Sequence, residues 1–307
     1  MIKLKPGYAE PVLLFVAFVW GSNPPVIKWS LQYMDPMSFN AVRMLIACIL
    51  SGILLLVAKP QRRLERVDWL TLVKLGAFGF FLFQLFLTVG VTRTTAGNAS
   101  LVLGMLPVSV AVINAVSGLE PITRRIVLSI AITLAGVCLI VLGSGSELSL
   151  GGDHIAGAGL LLCAQCAYGY YTVFSRPLTA KYSSLQINAC VFAVTTLLFV
   201  LVALPDLLAN DWRQVAPAAW AGTVYSGIFP LTVGNALWVW GVGIIGSAKA
   251  SLFNNLAPVF AILIAYLLLG EAFGPLQALG AAIIYAGLRL GRKQPQPAVP
   301  PEEGSVS

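Results

Sequence analysis

Carboxamide side chains interrupt the long apolar stretches of this sequence. They lie well inside those stretches, at Asn23, Gln84, Gln165, Asn235, Asn254 and Asn255. An unpaired amide in an apolar environment is costly, so each of these groups must face protein or water. Each could simply hydrogen-bond a neighbouring helix and have no ligand. As a set they favour a polar site that binds a small molecule, and we predict that all of them except Gln165 contact that molecule.

Aromatic side chains lie inside the same stretches, at Trp20, Phe80, Tyr168, Tyr171, Phe229, Trp238 and Trp240. Ordinary packing accounts for most residues of this kind. Trp20 and Tyr168 differ from the rest, because an offset of 168 − 20 = 148 places Trp20-Gly21 on Tyr168-Gly169. Equivalent aromatics would face a cavity from both halves of a protein and stack on a flat or apolar substrate. Our predicted substrate contacts are Trp20, Tyr168, Tyr171, Phe229 and Trp238.

Arg43 lies about one and a half to two helical turns into an apolar stretch that begins near Met37. A cation inside such a segment is a functional candidate by default. Two roles are open: the guanidinium ties helix-end carbonyls together, or it attracts the carboxylate of a substrate. Lys28 lies nearer the end of its own stretch and can extend to the aqueous interface. We therefore count Arg43, and not Lys28, among the substrate-binding candidates.

The sequence lacks the residue patterns of metal, redox or nucleotide chemistry. Cys163 and Cys166 form one C-x-x-C without a second pair, and His154 is the only histidine. We therefore expect no metal site and no cofactor. No G-x-x-x-x-G-K-[ST] motif occurs, which argues against ATP hydrolysis. The net charge of +7 follows from basic loops, so no nucleic-acid partner is indicated.

Composition sets the class of fold that must position these residues. Apolar residues make up 58% of the 307 residues and charged residues only 10%, whereas soluble domains carry roughly 25% charged residues. The apolar stretches have the roughly 20-residue length of a bilayer-spanning helix. We therefore predict an all-α integral membrane protein. Its ten transmembrane helices are expected at about 11–29, 37–57, 69–91, 95–119, 126–142, 155–174, 185–204, 218–242, 250–270 and 275–290.

The sequence also repeats itself. Residues 99–136 align without a gap on 250–287, at an offset of 250 − 99 = 151, and Glu120 falls on Glu271. The match covers two apolar segments and the polar turn between them, so two copies of one unit are predicted. The first copy is residues 1–145 and the second is residues 146–293. The polar, Pro-rich tail at 294–307 has nothing to bury, and we expect it to be disordered.

Prolines inside the apolar stretches mark where a helix can bend or break, because proline removes a backbone donor. They are Pro24-Pro25, Pro107, Pro230 and Pro258. Pro107 and Pro258 are equivalent in the repeat. Each proline could form a hinge that shapes a cavity, or a static bend.

Five crossings per unit make the second unit begin on the opposite side of the membrane. The two units are then inverted copies, an architecture typical of transporters that hold substrate near the membrane midplane. Lys and Arg concentrate in alternate loops, such as Arg62-Arg63 and Arg124-Arg125, whereas the opposite loops carry Arg93 and Arg213. By the positive-inside rule, both termini are expected in the cytoplasm.

These repeated pairs, with Trp20-Gly21-Ser22-Asn23 in the first helix and Glu271 closing the ninth, resemble the two EamA domains of the drug/metabolite transporter superfamily. The resemblance covers nearly the whole chain up to Gly291. It implies ten helices around a central cavity lined by the first, third, fourth, sixth, eighth and ninth helices. Similar proteins include bacterial exporters of amino acids, aromatic amino acids among them, and of other metabolites. The resemblance thus implies the bacterial cytoplasmic membrane.

We predict a secondary transporter, and not an enzyme, that exports small metabolites, amino acids foremost, across the lipid bilayer by alternating access. No Asp, Glu or His lies inside the apolar stretches, so facilitated diffusion or exchange is expected. The alternatives are a proton-coupled exporter of other metabolites or drugs, a membrane-embedded enzyme or lipid-handling protein, and a passive channel. A monomer is compatible with the sequence.

Overall fold

The computed structural model describes residues 6–58, 62–94, 96–143, 152–269 and 274–292. All regular structure in these ranges is helical, as the composition predicts. The predicted disordered tail at 294–307, most of the connector between the two units and Glu271 lie outside the described residues. The side chain of Lys28 is outside them too.

In its described residues, the first sequence unit has a short 3₁₀ turn (Pro6–Tyr8), seven α-helices and one π-helical stretch. The α-helices are α1 (Ala9–Ser30), α2 (Pro36–Ala58), α3 (Arg66–Lys74), α4 (Leu82–Arg93), α5 (Ala96–Leu103), α6 (Leu106–Ser117) and α7 (Arg124–Gly143). The π-helical stretch Leu75–Phe81 joins α3 to α4, so that the three segments form one continuous helix. Stretches of this kind are frequent at functional sites.

The second sequence unit has the same plan. Its α-helices are α8 (Gly152–Ser175), α9 (Ser184–Ala209), α10 (Pro217–Ser226), α11 (Asn235–Ile245), α12 (Ser247–Asn254), α13 (Ala257–Leu269) and α14 (Pro275–Arg292). A short 3₁₀ turn, Pro177–Ala180, precedes α9. A second π-helical stretch, Gly227–Gly234, joins α10 to α11 and contains Pro230.

Seven helical stretches among the described residues are long and apolar enough to cross a membrane. They are Pro36–Ala58, Arg66–Arg93, Asn98–Ser117, Arg124–Gly143, Ser184–Ala209, Pro217–Ile245 and Ser247–Ile264. Large apolar side chains on them are exposed, for example Leu56, Val116 and Leu208. An apolar exterior is stable in lipid and unfavourable in water. The chain is a multi-pass membrane protein.

Helix breaks occur at equivalent places in the two units. One break separates α5, ending at Leu103, from α6, and the other separates α12, ending at Asn254, from α13. The last residues of α5 and α12 are 254 − 103 = 151 positions apart in the sequence, which is the offset of the sequence repeat. Pro107 and Pro258 each follow their break directly, which confirms that these two prolines mark discontinuities. The Pro24-Pro25 pair differs, because α1 continues through it.

The main helix contacts come in sets that are related by exchanging the first unit with the second. The equivalent helices α2 and α9 pack on each other, and so do α7 and α14. The first helix of each unit packs on the broken fourth helix of the other unit, α1 on α13 and α8 on α6. The core is therefore built from contacts between the units as much as within them.

The α7–α14 pair depends on glycine. A Cβ added at Gly136 would lie 2.7 Å from the carbonyl oxygen of Gly280 and 2.6 Å from a side-chain carbon of Ile284. We expect Gly136→Ala to lower the free energy of unfolding by about 1–3 kcal/mol, because overpacking forces the helices apart. Thermal unfolding of the purified protein in detergent would measure it.

Gly159 provides the matched control for this substitution. It lies in α8, and an added Cβ there would meet nothing within 4 Å. Gly159→Ala should be neutral or slightly stabilising, since alanine is the better helix former. Equal effects of the two substitutions would contradict the close contact at Gly136.

Candidate functional site

The predicted aromatic pair meets in the interior of the structure. Trp20 of α1 and Tyr168 of α8 lie edge to face, with ring centroids 6.0 Å apart. Trp238 of α11 lies 5.0 Å from Trp20 and stacks on Tyr168 at 6.2 Å. Tyr171, one turn further along α8, stacks on Tyr168 at 5.6 Å. Four of the predicted residues, drawn from both units, are therefore brought together.

Two phenylalanines of the first unit extend this group. The Phe83 ring lies 4.6 Å from that of Tyr168, and the Phe80 ring lies 5.3 Å from that of Tyr171. Phe83 is not among the residues predicted from the sequence. The one feature that could have identified it is its position next to the predicted Gln84. The six rings are called the aromatic cluster below: Trp20, Phe80, Phe83, Tyr168, Tyr171 and Trp238.

Asn235 fixes the two tyrosine hydroxyls of the cluster. The Tyr168 hydroxyl donates to Asn235 Oδ1 at 3.0 Å, and Asn235 Nδ2 donates to the Tyr171 oxygen at 2.7 Å. Asn188 of α9 accepts from Asn235 Nδ2 and from the Tyr171 hydroxyl, both at 3.0 Å. All four side chains are buried, where such hydrogen bonds are strong. Asn235, a predicted substrate contact, thus orients the rings. Asn188 is absent from the sequence prediction.

The Trp20 indole packs against the second π-helical stretch, Gly227–Gly234. Its Nε1 donates to the Pro230 carbonyl oxygen at 3.1 Å. A Cβ at Gly234 would lie 2.9 Å from that same nitrogen, so only glycine leaves room for the indole. Trp20 is half-buried, whereas Tyr168 and Trp238 are nearly inaccessible. Trp20 is therefore the more accessible member of the pair.

Arg43 is buried in α2, only 5% exposed, and bonds three neutral side chains. Its Nη2 donates to Gln84 Oε1 at 2.9 Å, its Nη1 donates to Ser226 Oγ at 3.2 Å, and its Nε donates to Asn40 Oδ1. The guanidinium also lies over the Phe39 ring, 5.5 Å from its centroid. The described ion pairs all involve other residues. The predicted candidates Arg43 and Gln84 are therefore in direct contact.

Asn23 connects this polar group to α1. The Ser226 hydroxyl, which accepts from Arg43, donates to Asn23 Oδ1 at 2.8 Å. On the other side, Asn40 Nδ2 donates to Thr88 Oγ1 at 2.8 Å, and the Thr88 hydroxyl donates to the backbone carbonyl oxygen of Gln84 at 2.7 Å. The polar network below means these side chains from four helices: Asn23, Asn40, Arg43, Gln84, Thr88 and Ser226.

The polar network and the aromatic cluster are adjacent, because two helices contribute to both. On α1, Asn23 follows Trp20 by three residues, so both lie on one face about 4.5 Å apart along the axis. On α4, Phe83 and Gln84 are consecutive. The combined site joins α1, α2, α4 and the π-helical stretch Leu75–Phe81 of the first unit to α8, α10 and α11 of the second. It presents flat apolar rings, amides and one cation.

The remaining predicted residues lie elsewhere. Asn254 Nδ2 donates to the carbonyl of Leu103, the residue equivalent to it in the repeat, at 3.2 Å. Asn255 is buried and donates to Thr133 Oγ1 of α7 at 3.0 Å. The Phe229 ring is 44% exposed and lies against Tyr225. Their contact with substrate stays a prediction, and Asn254 bridges the two helix breaks.

Cysteine and acidic residues do not cluster in the part of the chain that the structure describes. No group of three or more His, Cys, Asp or Glu residues there could hold a metal ion. Cys163 and Cys166 are unpaired and exposed on α8.

A helical membrane protein with a repeated unit and a polar site between the copies is of the class that moves small molecules. The chain belongs to the EamA-like transporter family, whose sequence profile matches residues 8–142 and again residues 155–290. This confirms the resemblance carried by the repeated pairs.

Known proteins similar to this chain cover nearly all of it. A protein of Streptantibioticus cattleyicolor named a probable terminal-alkyne amino-acid exporter is 27% identical over 290 residues, which cover 94% of each chain. The S-adenosylmethionine/S-adenosylhomocysteine transporter of Chlamydia muridarum is 25% identical over 293 residues, 92% of each chain. A crystal structure 17% identical matches with a TM-score of 0.78 over 93% of this chain and 96% of that chain. The fold is therefore shared with a solved protein.

Proposed function

We propose that this protein is a secondary transporter that exports small metabolites, amino acids foremost, across the bacterial cytoplasmic membrane. The observation that carries the proposal is the combined site, in which the equivalent residues Trp20 and Tyr168 meet between the two units. Rings, amides and a cation in one place suit a molecule with a carboxylate at one end and an apolar body at the other.

The relatives support the choice of substrate class. One is named a probable exporter of a terminal-alkyne amino acid, and another a transporter of S-adenosylmethionine and S-adenosylhomocysteine. Each of these substrates carries an α-amino carboxylate group. The same group is what the cation and amides of the combined site can bind, with the ammonium held at aromatic faces. As its relatives are named transporters, we propose that this chain is not an enzyme.

The architecture we propose has ten transmembrane helices arranged as two inverted units of five. In each unit the third and fourth crossings would be composite: α3–α4 and α5–α6 in the first, α10–α11 and α12–α13 in the second. The paired breaks and the exchange-related packing support it. Ten crossings would put both termini on one side of the membrane, which the basic loops assign to the cytoplasm, and the two units would rock about the site in alternating access.

Counterflow in proteoliposomes tests the function directly. Vesicles containing the purified full-length protein and preloaded with unlabelled L-phenylalanine or L-methionine should transiently accumulate the same labelled amino acid from outside. Labelled D-glucose with glucose-loaded vesicles is the control and should show no accumulation. Absence of counterflow across the common L-amino acids would contradict an amino-acid transporter.

A further inference from the structure

We infer that Arg43 is the receptor for the substrate carboxylate and that Gln84 and Ser226 hold its guanidinium ready for that anion. The inference rests on the proposed transport function and names the chemistry that a substrate must carry. It selects one of the two roles that the sequence leaves open for Arg43, since the described partners of the guanidinium are side-chain oxygens and not helix-end carbonyls.

The Arg43 guanidinium carries a positive charge. An arginine keeps its proton in proteins and has five N–H donors. The three described bonds of Arg43 engage each nitrogen once, which leaves one further N–H on Nη1 and one on Nη2. Among the described residues, no carboxylate lies within ion-pair distance of this 5% exposed cation. Burying a charge without a counter-ion is costly, and an arriving carboxylate would relieve that cost.

The surroundings of Arg43 are suited to anion exchange. All three acceptors are neutral, so none competes with a carboxylate on the basis of charge. Two adjacent N–H groups of a guanidinium match the two oxygens of a carboxylate in a bidentate pair. Ser226 belongs to the second unit, whereas Arg43 and Gln84 belong to the first. Movement of one unit relative to the other would therefore change the contacts of the Arg43 guanidinium.

The position of Arg43 relative to the aromatic cluster sets the rest of the substrate. Ser226 links the guanidinium to Asn23, which follows Trp20 by about one turn of α1. Gln84 links it to α4 beside Phe83, whose ring contacts Tyr168. A carboxylate on Arg43 therefore directs the remainder of the molecule toward the rings. The substrate class is a carboxylate with an apolar or aromatic body, and the corresponding amide or amine should be excluded.

Gln84→Glu is the sharpest test. The substitution changes almost nothing in shape, but it places a carboxylate where Gln84 Oε1 now lies, 2.9 Å from Arg43 Nη2. This internal counter-ion should lower affinity for L-phenylalanine or L-methionine by about 100-fold, because a charge-assisted bidentate pair is lost. Affinity for the matching amides and for phenethylamine should stay the same or rise. The protein should be at least as thermostable as wild type, since a buried charge is now paired.

Arg43→Gln and Arg43→Lys complete the set, with binding measured by ligand-induced shifts in thermal unfolding of the detergent-purified full-length protein. In wild type the acids should bind and the amides should not. Arg43→Gln should abolish that preference, and Arg43→Lys should restore part of it. Should Arg43→Gln fail to fold, the wild-type preference and the Gln84→Glu variant decide the question.

The possible failures are distinguishable. Acids that bind with the expected preference but show no counterflow would contradict transport and leave the carboxylate receptor standing. Counterflow of acids and amides at equal affinity, or an acid preference unchanged in Gln84→Glu and Arg43→Gln, would overturn the Arg43 assignment alone. Amide binding that rises with added chloride would assign the guanidinium to an inorganic anion and would also overturn it.

Discussion

Trp20→Ala should lower amino-acid counterflow by at least about 30-fold while the protein remains folded. Buried aromatic anchors of a binding site typically contribute about 2 kcal/mol or more. Trp20 and Phe83 are the half-buried rings of the cluster, and the neighbours Tyr168 and Trp238 are only 4% and 1% exposed. A molecule held between the units is therefore expected to contact the Trp20 and Phe83 rings. The substitution removes that surface and leaves the Pro230 carbonyl without its described donor.

Trp20→Phe separates the ring from the hydrogen bond. Phenylalanine keeps an aromatic face but cannot donate to the Pro230 oxygen. The loss of one hydrogen bond costs about 1 kcal/mol, so counterflow should fall by about 5-fold. The order wild type, phenylalanine, alanine is therefore expected in proteoliposomes at equal protein density.

Trp29→Ala provides the control from the same helix. Trp29 lies near the end of α1, is 39% exposed, and contacts only Tyr33 among the described ring pairs. Its removal should leave counterflow at the wild-type rate. Equal losses in Trp20→Ala and Trp29→Ala would mean that α1 tolerates no shortening of its aromatics, and the role given to Trp20 would be wrong.

Much of the fold is encoded in one-dimensional patterns. The offset of 151 residues that aligns Pro107 with Pro258 also aligns the two helix breaks, because proline acts locally on the backbone that precedes it. The pairing of Trp20 with Tyr168 follows from the same duplication. The Pro24-Pro25 pair shows the limit of the pattern, since α1 accommodates both residues without a break.

Most side-chain partners were not accessible from sequence, because they depend on how each helix is rotated about its axis. Asn188 lies near the start of α9 and shows no periodic signal, yet it completes the Tyr171–Asn235 group. Ser226 is an ordinary small residue of an apolar stretch until packing brings it to Arg43. Intramembrane amides could be recognised as a set, but only the fold separates those in the combined site from Asn254 and Asn255.

The buried acidic residues of the described chain have structural partners. Glu120 follows α6 and accepts from the backbone N–H and the hydroxyl of Ser247, both at 2.7 Å, at the start of α12. It also pairs with Arg176 at 3.1 Å. Asp68, at the start of α3, accepts from the Tyr182 hydroxyl at 2.8 Å and from Lys181 at 3.1 Å. These carboxylates cap a helix and join loops of the two units.

Lys181 illustrates how firmly those loops are joined. Hydrogen bonds to Asp68 and Glu65 raise the pKa of the Lys181 ammonium above its ordinary value. The Lys181 ammonium therefore stays charged across the physiological pH range. His154, the only histidine of the sequence, lies in the first turn of α8 next to the Arg93 carbonyl. None of these groups belongs to the aromatic cluster or to the polar network.

Substrate flux is therefore expected to need no proton gradient. Proton-driven transporters commonly use a titratable Asp, Glu or His inside the membrane, and the combined site contains only amides, hydroxyls, rings and an arginine that stays charged. In proteoliposomes with equal pH on both sides and the membrane potential clamped to zero, L-phenylalanine or L-methionine should move down its own gradient. Substrate on the far side should accelerate that flux by exchange.

Glu120→Gln is the variant that would expose a hidden proton carrier. It keeps the shape of the side chain but cannot titrate, so a carrier role for Glu120 would make the variant lose proton-driven accumulation and retain exchange. We expect no accumulation against a gradient in either protein, and equal exchange apart from any loss of folded protein through the weakened contact with Ser247 and Arg176. Wild-type flux that appears only when a pH gradient is imposed would show that substrate and protons are coupled. Facilitated diffusion and exchange would then both be wrong as the mechanism.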